Sequence, residues 1–182
     1  MPATGFAPID LDAPLDTRER LAAVPRGLTA KGLIFNANAG RLGLDEPTRG
    51  AFRDYPLEDL IALQARADER GDGARRLYET GIVAAQKVCD SMPGRVLLAL
   101  IGGDLHSGAR YGQRVWRIAV TTGQVSHTTV GPRAIQFAVR EVWGFHAYLV
   151  GAFVGMTRTL EPRAQVTYRR VSLSGFDVLV EW

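Results

Sequence analysis

Apolar positions fall into two regimes along this chain. Up to about residue 122 they recur at three- and four-residue intervals, and after Gly123 they recur at every second position, so the pattern predicts helices followed by sheet. Residues 1 to 26 show no sustained period. Their prolines (Pro2, Pro8, Pro14) and acids (Asp10, Asp12, Asp16) predict a weakly structured N-terminal arm, mostly outside the core. One turn of helix is expected there, Thr17 to Val24, with Asp16 placed to cap it.

From Leu28 the pattern predicts a strand turn or short helix over Lys31 to Leu42, ended by Gly40 and Gly43. A short helix is expected from Asp45-Pro47 to Phe52. Leu57, Leu60, Ile61 and Leu63 predict a helix ending at Gly71-Asp72-Gly73. Ala74 to Met92 is amphipathic, with Leu77, Ile82, Val83, Ala85 and Val88 on its apolar side, although Gly81 inside it costs up to about 1 kcal/mol relative to alanine. Arg95 to Ile101 is almost uniformly apolar and is expected to be a buried helix. A loop from Gly102 to Gly108 and a helix from Arg110 to Val120 follow.

Beyond Gly123, Val125 to Val130 and Ala134 to Val142 predict a hairpin turning at Gly131-Pro132. Gln165 to Val171 and Phe176 to Trp182 predict another around Ser174-Gly175. A helix from Trp143 to Thr159 lies between them, closed by Pro162. We therefore expect an α+β fold: an N-terminal helical half packed on a four-stranded antiparallel sheet whose order in sequence is β-β-α-β-β. Residues 27–182 form a single domain in this reading, 27–122 mainly helical and 123–182 two hairpins with an intervening helix.

Composition adds little to that and removes several alternatives. With 46% hydrophobic and 23% charged residues the chain is ordinary globular material, not a disordered or disulfide-scaffold chain. The single cysteine, Cys89, falls in an apolar-periodic stretch and is expected to be a buried structural thiol. The first residues lack the basic and apolar regions of a signal peptide, and the longest apolar run, Val142 to Met156, contains His146 and is too short to span a bilayer. The expected location is cytoplasmic. Arginine supplies all but Lys31 and Lys87 of the 22 basic residues, and basic residues outnumber acidic ones only after residue 91. A nucleic-acid role for that basic half is weak, because no helix-turn-helix, zinc or aromatic RNA-reading motif accompanies it.

No segment carries a reaction. Gly103 and Gly108 have phosphate-loop spacing, but Ala109-Arg110 stands where the lysine and hydroxyl belong. Asp104, His106 and Ser107 are triad residue types too close in sequence to converge on one atom, and no G-x-S-x-G occurs. His106, His127 and His146 lack metal-ligand spacing, so we expect no catalytic residue, no metal and no cofactor. Arg110, Arg114 and Arg117 are spaced to share one helix face near Trp116. In the Trp143 helix, Ala147, Gly151 and Gly155 recur every fourth residue, a small flat stripe suited to close packing on the sheet or to a homodimer interface.

Three segments, Ala30-Lys31-Gly32-Leu33-Ile34-Phe35-Asn36, Tyr55-Pro56-Leu57-Glu58-Asp59 and the hairpin-helix-hairpin ending Val180-Glu181-Trp182, resemble a myxobacteria-restricted domain of unknown function with many paralogues per genome. The resemblance runs from Leu28 to Trp182 and leaves the arm outside. That family is distantly similar to the heme NO-binding, 4-vinyl reductase and TRAPP-like group, which implies helices on a four-stranded sheet with a pocket between, and a ligand-sensing or assembly role. The heme branch uses a helix histidine and a Tyr-x-Ser-x-Arg motif; the motif does not occur in this chain. The expected function is a non-enzymatic regulatory or sensory module binding a small apolar or amphipathic ligand, or a partner protein, between helices and sheet. Candidate pocket residues are Trp116, Phe137, Trp143, His146 and Tyr148, with Arg114 and Arg117 for an anionic end. The alternative is a homodimeric scaffold using Ala147, Gly151 and Gly155 or a sheet edge.

Overall fold

A computed structural model describes residues 5–182, apart from the side chains of Arg70, Ile118 and Ala119. In chain order the elements are α1 (Thr17–Ala23), β1 (Thr29–Lys31), α2 (Gly32–Leu42), β2 (Asp54–Pro56), α3 (Leu57–Ala65), a 3-10 turn (Arg66–Arg70), α4 (Gly73–Asp90), α5 (Met92–Ile101), α6 (Leu105–Arg110), α7 (Gly112–Ala119), β3 (Gln124–Gly131), β4 (Ala134–Arg140), α8 (His146–Leu160), β5 (Gln165–Ser172) and β6 (Gly175–Glu181). This is the α+β class that the change of period predicts. The last four strands form one antiparallel sheet of order β3-β4-β6-β5. In its central pair Ile135 faces Val180, Phe137 faces Val178 and Val139 faces Phe176, so alternation puts all six on one face, where all are buried.

The helix α8 lies over that face, and its second side is covered by α4. The two glycines of the small stripe meet α4. A Cβ on Gly151 would sit inside the Tyr78 carbonyl oxygen, one on Gly155 would come 2.7 Å from the Ile82 carbonyl oxygen, and one on Gly81 would sit inside the Tyr148 carbonyl oxygen. Gly81 thus offsets its low helix propensity by letting two helix backbones touch. Of the two packing roles that the sequence left open for Ala147, Gly151 and Gly155, the glycines serve close packing within the chain.

Five further expectations change. The arm is tied to the core, because Arg20 of α1 is fully buried and donates to Asp16 and to the carbonyls of Trp143, Gly144 and Leu173. Asp16 pairs with Arg20 in place of capping α1. Residues 45–52 form no helix: the Arg53 and Ala51 carbonyls accept from Gly32 and Leu33 N–H at the start of α2, and Asn36 holds the Arg49 backbone in both directions. This segment satisfies the orphan donors of another helix and cannot coil itself. Arg110 and Arg114 do not share a helix, since α6 ends at Arg110 and α7 begins at Gly112. Finally, α5 is not wholly buried: Met92, Val96 and Leu100 are exposed at i, i+4 and i+8, Leu97 and Leu98 are half-buried, and only Gly94 and Ile101 are fully buried.

Candidate functional site

Two apolar cavities of about 70 Å³ each lie beside α4, α7 and α8, the first reaching the sheet and the second enclosed among helices, and Val88, Val115 and Met156 border both. Each residue is there for a local reason. Val88 is on the buried stripe of α4, Val115 on the inner side of α7, and Met156 on α8 beyond the glycine contact. The first cavity continues between α5 and the sheet, under Leu97 and Leu98, to Phe137 and Phe153. These two rings pack at 5.5 Å. The second runs under α3 to Trp116, Tyr148 and Gln64. Neither is bordered by a charged side chain.

A buried polar chain forms part of the second cavity's wall. Gln64 Nε2 donates to Asn38 Oδ1 at 3.0 Å, and Asn38 Nδ2 donates to the Ile34 carbonyl and to the Tyr148 hydroxyl. Gln64 Oε1 is buried with no partner. Burial pushes the Tyr148 phenol up to about 12, so it stays protonated. In the first cavity's wall Cys89 is buried, as expected from its stripe, and burial raises its thiol above the ordinary range. It is held as a neutral thiol, the inert state of a structural cysteine.

The structure separates the residues that the sequence grouped. Trp116 and Tyr148 border the second cavity and Phe137 the first. Trp143, half-buried against the core, borders neither, and its carbonyl accepts from Arg20. His146 faces the arm. Arg114 is exposed over the Tyr111 ring and Arg117 is exposed with its guanidinium on the Thr121 carbonyl, so neither supplies an anionic end to the cavities. Asp104 caps α6 by accepting from Ser107 N–H at 2.8 Å, and His106 meets the Pro132 carbonyl and the Trp182 ring, which removes the apparent triad. Sequence reasoning passed over Gln64 and Asn38. Their signal was available: Gln64 occupies the next place in the apolar series Leu57, Leu60, Ile61, where a polar residue faces the core.

The fold is similar to that of solved H-NOX proteins. One from S. oneidensis, in an Fe(II)NO ligation state, superposes with a TM-score of 0.62 at 9% identity over 83% of this chain and 98% of its own. One from K. algicida gives 0.57 at 11% over 83% and 95%, and one from T. Tengcongensis gives 0.56 at 12% over 82% and 87%. The chain itself belongs to the family described as protein of unknown function (DUF2378), whose model matches residues 24–182. No curated protein matches it.

The residues present do not fit a heme. Small-molecule sites have volumes of roughly 300–1,000 Å³, several times either cavity here. No imidazole borders either cavity: His106 is held at Pro132, His127 is exposed on β3 and His146 lies toward the arm. Among the described residues no cluster of three or more histidine, cysteine or acidic side chains is arranged for a metal ion.

Proposed function

We propose that this chain is a non-enzymatic sensory module whose paired cavities take a small, mostly apolar ligand with one hydrogen-bond donor. The observation that carries this reading is the apolar space among α3, α4, α7 and α8, bordered by Gln64, whose buried Oε1 has no partner. An apolar cavity of about 150 Å³ admits benzene, and the two spaces approach that size together if Met156, an unbranched and adaptable side chain, swings aside. An aliphatic body would replace empty contacts, and its donor would relieve the buried oxygen. The H-NOX protein in an Fe(II)NO ligation state supports a small-ligand reading through its shared fold.

Titration with 1-butanol and with xenon, read at the Met156 methyl resonance, tests this. Both should give saturable shifts, and Gln64→Leu should weaken butanol about tenfold, the worth of one hydrogen bond, while leaving xenon unchanged. No saturable shift with either probe would overturn the reading. A second reading, a partner-protein surface, is favoured by the exposed row Met92, Val96 and Leu100. Leu97 and Leu98 of the same helix border the first cavity, so a partner there would sense its filling.

A further inference from the structure

A third space shares no bordering residue with the two apolar cavities and has the opposite character. It has a volume of about 140 Å³ and lies between the arm, the first turn of α8 and β5, bordered by Asp10, Asp16, Arg20, His146, Tyr168 and Arg170 among others. His146 is 7% exposed, and its Nε2 has no hydrogen-bond partner. The ring is held by a hydrogen bond with the Leu173 backbone, and it packs against Tyr168 and Phe176. An orphaned buried ring nitrogen in a polar pocket calls for a partner there.

The donors around it are unevenly used. Arg20 is saturated by Asp16 and three carbonyls. Arg170 reaches Asp16 through one nitrogen at 3.2 Å, and its side chain remains 49% exposed. No side chain caps the N-terminus of α8, a helix of 15 residues, so its first-turn N–H groups lack a capping acceptor. Asp16 balances one of the two guanidiniums, and Asp10 is exposed with one carboxylate oxygen already accepting from the Asp12 N–H.

We propose that this pocket binds a small oxyacid anion that keeps one hydrogen-bond donor, of the hydroxycarboxylate or hydrogen phosphate type. Its charged oxygens lie against Arg170 and the first-turn N–H groups of α8, and its O–H donates to His146 Nε2. Burial, with Arg20 and Arg170 nearby, lowers the His146 imidazole to about 4, against the opposing pull of Asp16. At neutral pH the ring is therefore uncharged, and Nε2 only accepts. A simple carboxylate, with no donor, would leave it unpaired.

Imidazole nitrogen shifts of the full chain at neutral pH, followed during titration with glycolate, inorganic phosphate and acetate, test the proposal. Glycolate or phosphate should move the His146 Nε2 resonance saturably and bind about tenfold more tightly than acetate, and whichever does so identifies an organic or a mineral source. Arg170→Gln should weaken that binding about tenfold or more, with an unchanged unfolding midpoint. If neither glycolate nor phosphate shifts the resonance, water satisfies Nε2 and the proposal fails. Equal binding of acetate, or full binding by Arg170→Gln, would overturn it as well.

Discussion

At the scale of single residues, the side chains that organise this molecule are polar groups buried in unusual places. Asp177 is 3% exposed on the central strand β6, where Arg140 and Arg169 each approach its carboxylate at 2.6 Å and hold it below the usual carboxylate range despite burial. His146 is shifted in the same direction, so it too destabilises the fold as pH falls, but in a higher pH window. Its folded value, about 4, lies below the ordinary histidine value, so between the two the unfolded chain binds the proton and the folded chain does not. Stability from this group is present at neutral pH and is lost as pH falls from about 6.5 to about 4, by an amount on the order of 3 kcal/mol. The losses from Asp16 and Asp177 come only below their unperturbed range, near 3.8. Urea unfolding at pH 7 and pH 4.5 should therefore show a clear drop in the wild type and a much smaller one in His146→Phe, and parallel slopes would contradict the assignment. The sequence showed that His146 lies on an apolar helix but not which way it points. Residues two apart on a helix project about 200° apart, so His146 and Tyr148 could not share a pocket, and that argument was available from spacing alone.

At the scale of elements, the α4–α8 crossing brings two helix backbones into direct contact. Gly81 on one helix and Gly151 on the other each meet backbone carbonyl oxygen, which cannot move away as a flexible side chain can. An exposed helix glycine changed to alanine gains up to about 1 kcal/mol, whereas at this crossing overpacking should reverse the sign and cost about 3 kcal/mol. Thermal unfolding of Gly151→Ala and of Gly40→Ala measures the contrast, since nothing lies within 4 Å of a Cβ at Gly40. Stabilisation by Gly151→Ala would mean that the helices do not touch there. The same element shows the limit of the sequence. A four-residue repeat of small side chains reports close approach but not the partner, and a second helix of this chain satisfies it as well as a second copy would. The helix α5 shows the reverse error. Uniform apolarity predicted burial, yet Gly94 locks its start onto the end of α4, where a Cβ would sit inside the Val88 carbonyl oxygen, and the rest lies with one side on the first cavity and the other in solvent. The strands were legible because alternation carries its own face, as Ile135, Phe137 and Val139 demonstrate.

At the scale of the whole molecule, the basic excess of the C-terminal half is partly consumed inside the fold. Arg140 and Arg169 hold Asp177, and Arg170 reaches across to Asp16 of the acidic arm, so the two unequal halves pair with each other. The arm also guards a sheet edge. Among the strands of the sheet β5 is terminal, and Ala7 bridges it antiparallel at Tyr168, with hydrogen bonds of 3.1 and 2.8 Å in the two directions. Phe6 adds a ring 4.8 Å from the Arg169 guanidinium, and Asp12 pairs with Arg75 of α4. A terminal strand left bare is a template for another chain. A chain lacking residues 1–11 keeps Asp16 and Arg20, and with them the buried anchor, so it should fold while exposing the β5 edge. Sizing with light scattering should then show a mass that rises with concentration for the shortened chain more steeply than for the full one. Adding a charge on that edge, through Gln165→Lys at an exposed position of β5 in the shortened chain, should restore the behaviour of the full chain. An identical mass for the full and shortened chains across the concentration range would show that the arm does not protect the edge.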